Sequence, residues 1–389
     1  MRVIHVITRL IVGGAQENTV TSVLGLRQKP GLEVSLISGP TEGPEGSLEP
    51  LFSPCPSALR ILQELVRPVR PWKDILALKK LTTLFRSEAP DLVHTHSGKA
   101  GVIGRLAAGR AKVPLIVHTI HGPSFGSFQG RAANIVFCAA ERRAARVTSH
   151  FVVVADAMKE QYLNAGIGRP EQYTRVFSGF SLESFLSAQN DLQLRAKLGF
   201  TAEDVIVGKV ARLCELKGHD DLFAAAPELV KRCPRIKFLL VGDGPWRQRF
   251  EAQTQALGLT NHFVFTGLVQ PAEVPALIGI MDCLVHLSLR EGLPRALPQA
   301  LAAGRPVVAY DCAGAKEVCL HNETGFLVTQ GDLRALKDSL LRLATDNSLR
   351  DRLAKRGRQF VRERFDAQQM VDELYRLYLQ LSATPKAPH

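Results

Sequence analysis

Short apolar, β-branched runs alternate with longer segments of helical periodicity along the first half of the chain. The apolar runs predict strands at residues 3–8, 33–37, 92–94, 115–119 and 151–154. The segments between them predict helices at residues 15–26, 72–87, 98–111 and 131–146. Strands separated by helices are typical of parallel βαβ units. This half of the sequence therefore predicts an α/β fold with a doubly wound parallel sheet.

The alternation pauses at residues 177–190, where Gly and Ser cluster, and then resumes. The second series predicts strands at residues 205–210, 237–241, 262–265, 283–287, 306–309 and 326–328. We therefore predict two α/β domains with a hinge near residues 178–190. Ligands of such folds bind outside the carboxyl ends of the strands, so two domains side by side would face a central cleft. The stretch 349–381 predicts helix, and residues 382–389 are expected to fray.

Composition indicates a globular protein without a membrane span. Apolar residues make up 46% of the 389 positions and charged residues 22%, which is ordinary for a globular chain. No apolar run reaches the roughly 18 residues that cross a bilayer, and the N-terminus lacks the features of a signal peptide. The seven cysteines are scattered and form no C-x-x-C pair. This pattern favours reduced thiols in the cytoplasm over a disulfide framework.

The net charge of +12 is concentrated in the first half of the chain. Residues 1–180 contain 22 Lys and Arg against 13 Asp and Glu, a net +9, whereas the remainder contains 27 against 24, a net +3. A basic half can face anionic lipid or a phosphorylated substrate, and solvated helix faces are the open alternative. Nucleic acid is disfavoured because helix-turn-helix, zinc-finger and RNP patterns are missing.

Two features of the first half could contact a ligand. Gly13 and Gly14 lie between the first strand and the first helix, where bare backbone amides and a helix N-terminus suit an anion. A plain turn is the alternative, because the spacing is not that of a dinucleotide fingerprint. His94 and His96 follow a later strand on one face, and His121 follows the next. Their spacing and the lack of a nearby carboxylate favour substrate hydrogen bonding over zinc.

The second half carries two cations and a glycine after the strand at 205–210. Arg212 and Lys217 at the end of a strand suit a diphosphate, although two surface cations would look the same in isolation. The next strand ends in a Gly-Asp-Gly-Pro turn. Its Asp243 is interpreted as a turn or cap residue, because no second carboxylate is near enough for a magnesium site.

The stretch EGLPRALPQALAAG, residues 291–304, predicts a turn that opens a helix. Glu291 lies at the mouth of a strand, and Pro294 suits a first helical position. Glu291 and Gln299 are eight residues apart, about two turns of a regular helix. Pro298 would disturb that helix unless it falls in the first turn, so the sequence predicts a late start or a kink.

These segments together resemble the retaining glycosyltransferases of family 4 (GT4), which have the GT-B fold of two Rossmann-like domains. The resemblance rests on GGAQ, HTHSGKAGVIGRLAA, HTIHG, VARLCELKG, VGDGP, LREGLPRALPQALAAGRPVVA, AGAKEV and ETGFLV, in order along the chain. It implies an N-terminal acceptor-binding domain at 1–178 and a nucleotide-sugar-binding domain at 179–365. It also implies a C-terminal helix and tail, 366–389, that packs back on the N-terminal domain.

The resemblance implies roles for individual residues. The catalytic pair would be Glu291, which holds the donor sugar, and His121 at the reaction centre. The residues expected to contact the donor diphosphate are Gly13, Gly14, Arg212, Lys217, Leu293 and Arg295. Gln299 would contact the ribose, and the base would be bound by Gly242, Leu268 and Val269. The residues on the acceptor side would be His96, Ser97 and Lys99. Gln299 replaces the glutamate usual in the family, and Ser178-Gly179-Phe180-Ser181 departs from the usual Asn-Gly-x-Asp at the hinge.

The function implied is metal-independent transfer, with retention, from a nucleotide-diphosphate sugar to a hydroxyl acceptor. UDP is favoured as the commonest nucleotide of the family, and the acceptor would be a glycan, a lipid-linked sugar or a polysaccharide intermediate. No cofactor is expected, because the nucleotide sugar is a co-substrate. The protein would work in the cytoplasm, with peripheral contact to an anionic membrane. Two alternatives remain open: a catalytically impaired nucleotide-sugar-binding protein and a GT-B-like nucleotide-sugar epimerase.

Overall fold

The computed structural model describes residues 1–43, 46–126 and 128–383. The predicted fraying at residues 382–389 lies outside the described residues from position 384 onward. The chain forms two compact units. The N-terminal unit comprises Met1–Phe180 together with the segment that starts at Ala367, and the C-terminal unit comprises Ser181–Asp366.

The N-terminal unit is built on a parallel sheet that is seven strands wide in the described part of the chain. Its strands are β1 (Arg2–Ile7), β2 (Glu33–Ser38), β3 (Leu59–Ile61), β4 (Leu92–His96), β5 (Leu115–Ile120), β6 (His150–Val153) and β7 (Tyr173–Arg175). They lie in the order β3-β2-β1-β4-β5-β6-β7. The direction of winding therefore reverses between β1 and β4, where His5 pairs in register with His94.

Helices cover both faces of this sheet because its strands are apolar on both sides. They are α1 (Gly14–Leu26), α2 (Pro71–Glu88), α3 (Gly98–Arg110), α4 (Arg131–Ala145) and α5 (Asp156–Asn164). Alternate residues of β1 enter different cores. Val3 and Ile7 pack in the core that includes α1, whereas Ile4 and Val6 pack in the core that includes α2 and α3.

The C-terminal unit repeats this design on a second parallel sheet. Its strands are β8 (Val205–Val210), β9 (Ile236–Val241), β10 (Phe263–Gly267), β11 (Cys283–His286), β12 (Val307–Tyr310) and β13 (Gly325–Val328). Its helices are α6 (Glu183–Leu186), α7 (Leu192–Lys197), α8 (His219–Arg232), α9 (Arg247–Ala256), α10 (Val274–Gly279), α11 (Ala296–Ala302), α12 (Leu333–Thr345) and α13 (Asn347–Arg362). The strand order β10-β9-β8-β11-β12-β13 reverses between β8 and β11.

The last helix, α14 (Ala367–Ala383), belongs to the N-terminal unit. Met370, Val371, Leu374 and Tyr378 enter the same core as Val3 and Ile7. The approach to α1 is close, because a Cβ added to Gly25 would lie 2.5 Å from a methyl group of Val371. An ion pair between Lys29 and Asp372 adds a polar contact beside this seam.

The predicted fold class is confirmed, since both units are doubly wound parallel α/β sheets. Two short strands, β3 and β7, were not predicted; each has three residues, too few to show a pattern. The helical stretch predicted at 349–381 is two helices, α13 and α14, which lie in different units. Among the described residues, no helix combines the length and the apolar character that crossing a bilayer requires.

Candidate active site

Two loops converge at the point where the C-terminal sheet reverses its winding. One loop follows β8 and carries Lys217; the other follows β11 and carries Glu291. The Nζ of Lys217 donates to Oε1 of Glu291 at 2.5 Å. Both side chains remain partly exposed, at 26% and 21%. Ligands of doubly wound sheets bind outside such a switch point, so this ion pair marks a candidate ligand site.

Backbone packing fixes the Lys217 loop against the end of β11. Gly218 adopts the left-handed conformation, with φ of 64°, and caps the N-terminus of α8. A Cβ at this position would lie 1.9 Å from the carbonyl oxygen of Leu287, so only glycine fits without moving backbone. The N–H of Leu289 donates to the carbonyl of Leu216 at 2.9 Å. The two loops are thus held together independently of the ion pair.

The surroundings of Glu291 keep its side chain ionised. Burial raises the pKa of this carboxyl group, but the net shift is downward, chiefly because of the charge and the hydrogen bond of Lys217. The Nε2 of His286 lies 3.6 Å from the Glu291 carboxylate. Burial lowers the pKa of His286 to about 3, so its ring is neutral near pH 7. A carboxylate held by one cation can accept hydrogen bonds from sugar hydroxyls.

The EGLP turn leads into α11 later than Pro294 alone would suggest. The helix begins at Ala296, which places Pro298 in the first turn, where its missing N–H is not needed. The predicted late start is therefore what the structure shows. Leu293 is buried, whereas Arg295 and Gln299 are partly exposed. The N–H of Gln299 donates to the carbonyl of Arg295 at 3.2 Å.

The predicted base-contacting residues lie at the ends of β9 and β10. Gly242 and Gly267 form an isolated bridge, which brings the turn after β9 beside Leu268 and Val269. Leu268 is 58% exposed. A Cβ on Gly242 would lie 2.4 Å from the carbonyl oxygen of Ala211, the neighbour of Arg212. Neighbouring Asp243 accepts from the N–H of Gly244 at 2.8 Å, as a turn residue does.

The predicted diphosphate residues of the N-terminal unit lie at the start of α1. Gly13 caps the helix in an extended conformation, and Gly14 is its first residue and exposed. Glu17 adds a carboxylate in the same turn. An anion at this helix end would gain from the backbone dipole but meet that acidic side chain.

The predicted acceptor-side residues serve structural contacts in the N-terminal unit. Lys99 pairs with Asp74 and donates to the carbonyl of Pro68. Ser97 holds φ of 65°, an uncommon value for a residue with a side chain. His96 is 1% exposed, and its Nδ1 and Nε2 bond to His121 and His5. Direct acceptor contact by His96 or Lys99 would require one of these bonds to break, so those roles stay predictions.

A hydrogen-bonded cluster, which we call the histidine network, lies under the switch point of the N-terminal sheet. Its members are His5, His94, His96, Thr119, His121 and Tyr378. His94 and His96 stack with ring centroids 4.4 Å apart, which confirms that they share one face of β4. Among the described residues, His5, His94 and His96 are also the group whose ring nitrogens lie close enough together, within 4.8 Å of one another, to hold a metal ion.

Comparison with known proteins decides the family. Residues 13–178 match the model "Glycosyl transferase 4-like domain", and residues 190–360 match "Glycosyl transferases group 1". The chain belongs to the family 4 glycosyltransferases. One matched segment lies in each unit, so the family assignment applies to both units of the chain and not to one of them alone.

Relatives and solved structures agree with this assignment. The UDP-Gal:alpha-D-GlcNAc-diphosphoundecaprenol alpha-1,3-galactosyltransferase of Escherichia coli is 29% identical, over 82% of this chain and 82% of its own length. The capsular polysaccharide biosynthesis glycosyltransferase CapM of Staphylococcus aureus is 23% identical, over 80% and 82%. The crystal structure of Anabaena HepE superposes with a TM-score of 0.82 at 23% identity, covering 98% of this chain and all of that one. That likeness shows the GT-B fold.

The site of this glycosyltransferase includes polar residues that the sequence analysis missed. Lys209 and His219 are buried, at 1% exposure each, and His286 at 6%. The Nζ of Lys209 has no hydrogen-bond partner among the described residues. Burial and then Lys217 lower the pKa of Lys209 to about 7. The available signal was a lysine inside VIVGKV, where a strand buried on both faces favours apolar residues.

Proposed function

We propose that this glycosyltransferase transfers a sugar, with retention and without a metal ion, from a UDP-sugar to a hydroxyl of a glycan or lipid-linked acceptor. The donor would bind to the C-terminal unit. The observation that carries the proposal is the ion pair between Lys217 and Glu291 at the switch point of that unit. It offers a cation for a diphosphate and a carboxylate for sugar hydroxyls at one place.

The choice of UDP and of a lipid-linked or glycan acceptor draws on the relatives. The E. coli relative is named for a UDP-galactose donor and a diphosphoundecaprenol-linked acceptor, and HepE has been crystallised with UDP and with UDP-glucose. We extend the nucleotide and the acceptor class to this chain. The sugar itself is left to experiment.

The charges of the C-terminal unit support the proposed metal independence. The carboxylate of Glu291 is paired with Lys217, and that of Asp243 serves its own turn and Arg247. Neutralisation of the leaving diphosphate would fall to Lys217 and Arg212, the electrostatic role that a divalent cation plays elsewhere. The leaving phosphate would then take the acceptor proton on the face where the new bond forms.

Thermal stabilisation by nucleotides tests the donor. UDP, GDP and ADP are compared with and without Mg²⁺. A ligand at 100 times its dissociation constant adds about 2.7 kcal/mol of stability, enough for a clear melting shift. We expect a shift with UDP alone that Mg²⁺ does not increase. A shift with GDP or ADP instead would replace UDP in the proposal, and a shift that needs Mg²⁺ would reject metal independence.

Two substitutions test separately the proposed contact of Lys217 with the diphosphate and that of Glu291 with the sugar. Lys217→Met removes the diphosphate contact and should weaken UDP binding by about tenfold or more. Lys237→Met is the matched control, because its exposed ammonium donates to the carbonyl of Asn261. Glu291→Gln should leave UDP binding in place but abolish the extra affinity for UDP-sugar and slow transfer. Equal loss of UDP and UDP-sugar binding in Glu291→Gln would contradict its assignment to the sugar.

The membrane part of the proposal rests on an exposed patch of the N-terminal unit. Val69, Trp72 and Ile75 are 63%, 76% and 46% exposed at the start of α2. Arg67 and Arg70 are exposed beside them. Apolar side chains among basic ones are suited to the headgroup region of an anionic membrane. We propose that this basic-apolar patch binds anionic lipid and holds the enzyme near a lipid-linked acceptor.

Sedimentation with phosphatidylglycerol and phosphatidylcholine vesicles tests the patch. We expect binding to the anionic vesicles that weakens from low to physiological salt. Trp72→Ser and the double variant Arg67→Glu with Arg70→Glu should each reduce it. Leu192→Ser serves as the control, because Leu192 is also exposed, at 56%, but lies in the C-terminal unit. Binding that is equal for both lipids, or equal for all variants, would exclude this surface.

A further inference from the structure

The histidine network forms one continuous line of hydrogen bonds through the N-terminal unit. The Nε2 of His121 meets Nδ1 of His96 at 3.0 Å, and Nε2 of His96 meets Nδ1 of His5 at 2.9 Å. The Nε2 of His5 lies 3.2 Å from the hydroxyl of Tyr378, which also bonds to Nδ1 of His94. The Nε2 of His94 meets Oγ1 of Thr119 at 2.6 Å and ends the line.

Three histidines of this network, His5, His94 and His96, and Tyr378 are neutral at physiological pH. His5, His94, His96 and Tyr378 are buried. Burial lowers the pKa of His5 to about 3 and holds those of His94 and His96 well below the usual range. Burial likewise raises the pKa of Tyr378 well above its usual value. A neutral imidazole has one donor nitrogen and one acceptor nitrogen.

Neutrality restricts the line to two arrangements. The hydroxyl of Tyr378 has one proton, so it donates to one of its two histidines and accepts from the other. If it donates to His5, then His5, His94 and His96 carry their proton on Nδ1, Thr119 donates to His94, and Nε2 of His121 accepts from His96, which leaves the proton of His121 on Nδ1. If it donates to His94, then His5, His94 and His96 carry their proton on Nε2, and Nε2 of His121 donates to His96. Any mixture would leave two donors or two acceptors facing each other in the buried interior, which costs about 1–3 kcal/mol.

We infer that the histidine network couples the tautomer of His121 to the direction in which the Tyr378 hydroxyl donates, and so links Tyr378 to whether Nδ1 of His121 is a donor or an acceptor. The inference rests on the proposed function and on the place at the reaction centre that the family resemblance implies for His121. His5, His94, His96 and Tyr378 would be positioning residues that act through His121.

A metal centre is the competing explanation for the same side chains. Three histidine nitrogens within 4.8 Å of one another resemble a ligand set. However, both ring nitrogens of His5, His94 and His96 already take part in the line described above. A metal ion would have to replace those bonds, with no carboxylate in the group to balance its charge.

Nitrogen NMR of the full-length protein labelled with ¹⁵N-histidine tests the inference directly. The ¹⁵N shifts distinguish a protonated from an unprotonated ring nitrogen, and His→Gln variants assign each ring. We expect one shared tautomer for the four histidines. Tyr378→Phe should then mix the tautomers of His121. Tyr375→Phe is the matched control, because Tyr375 lies on the same helix but donates to the carbonyl of Pro30. Thr119→Val, which keeps every ring, replaces Tyr378→Phe if that variant does not fold.

Kinetics and metal analysis complete the test. If the two tautomers of His121 become equally populated in Tyr378→Phe, release of UDP from UDP-sugar should slow about twofold. UDP binding should not change. Different tautomers within the wild-type line, an unchanged His121 in Tyr378→Phe, or one equivalent of bound metal would each overturn the inference. Failure to bind any nucleotide would reject the proposed function instead, because the ¹⁵N measurement does not depend on activity.

Discussion

Lys209 places an ammonium group in the interior of the C-terminal unit. Its pKa of about 7 lies below the usual value near 10.5, because burial penalises the charged form and Lys217 repels it. The unfolded chain therefore binds more protons than the folded chain between about pH 7 and pH 10.5. Stability should rise with pH across this window and fall as the pH drops towards 7.

Replacement of Lys209 by methionine tests this environment. Lys209→Met should stabilise the protein at pH 7 by about 1–3 kcal/mol, because it removes a buried amine without a partner. It should also flatten the pH dependence of stability between pH 7 and pH 10. Urea unfolding at several pH values measures both effects. Lys237→Met should change neither, because its ammonium has a partner in the carbonyl of Asn261. Equal slopes in wild type and Lys209→Met would contradict the assigned pKa.

Gln299 occupies the position at which the family usually has a ribose-binding glutamate. A carboxylate makes stronger hydrogen bonds to hydroxyls than an amide does. Gln299→Glu should therefore tighten UDP binding by about 1 kcal/mol, a few-fold to tenfold. Calorimetric titration with UDP and with 2′,3′-dideoxy-UDP shows whether the gain in affinity depends on the ribose hydroxyls. An equal gain for both nucleotides would mean that residue 299 acts on the diphosphate rather than on the ribose.

At the scale of elements, the contact between α1 and α14 depends on the missing side chain of Gly25. Alanine would normally favour a helix interior by up to about 1 kcal/mol. Here the new Cβ would overlap Val371, so we expect Gly25→Ala to destabilise the protein by about 1–2 kcal/mol. Gly130→Ala is the control, since a Cβ there meets nothing within 4 Å. Thermal melting that ranks Gly25→Ala at or above wild type would show that the two helices separate without cost.

Helices and strands with a clear periodicity of apolar residues were predictable from the sequence, whereas contacts between elements far apart in the chain were not. The bounds of the longer helices and of most apolar strands were predicted to within a residue or two, as α1 and α2 show. The meeting of Lys217 and Glu291 was implied because parallel strands end at the same edge of a sheet. By contrast, His94 and Tyr378 lie 284 positions apart, and nothing local in the helix pattern of α14 distinguishes Tyr378 from Tyr375. The histidine network could only be found in three dimensions.

At the scale of the whole molecule, the buried histidines make the folded chain sensitive to acid. Burial holds the pKa of His5 at about 3, that of His150 at about 4 and that of His286 at about 3. Unfolding exposes these rings to water, where their pKa returns to the ordinary value near 6.5. The unfolded state therefore binds more protons than the folded state below that pH. Each fully buried histidine removes up to about 1.4 kcal/mol of stability per pH unit as the pH falls from 6.5.

Denaturant unfolding at pH 7 and pH 5 measures this loss. We expect a marked fall in the urea midpoint at pH 5. His150→Gln, which can keep a hydrogen bond to Thr174, should reduce the fall. His321→Gln should not, because His321 is exposed. A midpoint that is the same at both pH values would show that these rings take up protons in the folded protein as they do in the unfolded chain.

Because α14 completes the N-terminal unit, the order of synthesis and the order of completion differ. The ribosome makes the segment for the C-terminal unit in full before it makes Ala367–Ala383. The C-terminal unit can therefore complete its native core first. Until α14 is made, the N-terminal unit leaves exposed the apolar surface against which Met370 and Leu374 pack. A nonsense mutation between Ala367 and Tyr378 would spare the Lys217–Glu291 pair yet remove Tyr378. Such a truncated product should keep its donor-side loops, leave His5 and His94 unbridged, and be a target for chaperones and proteases.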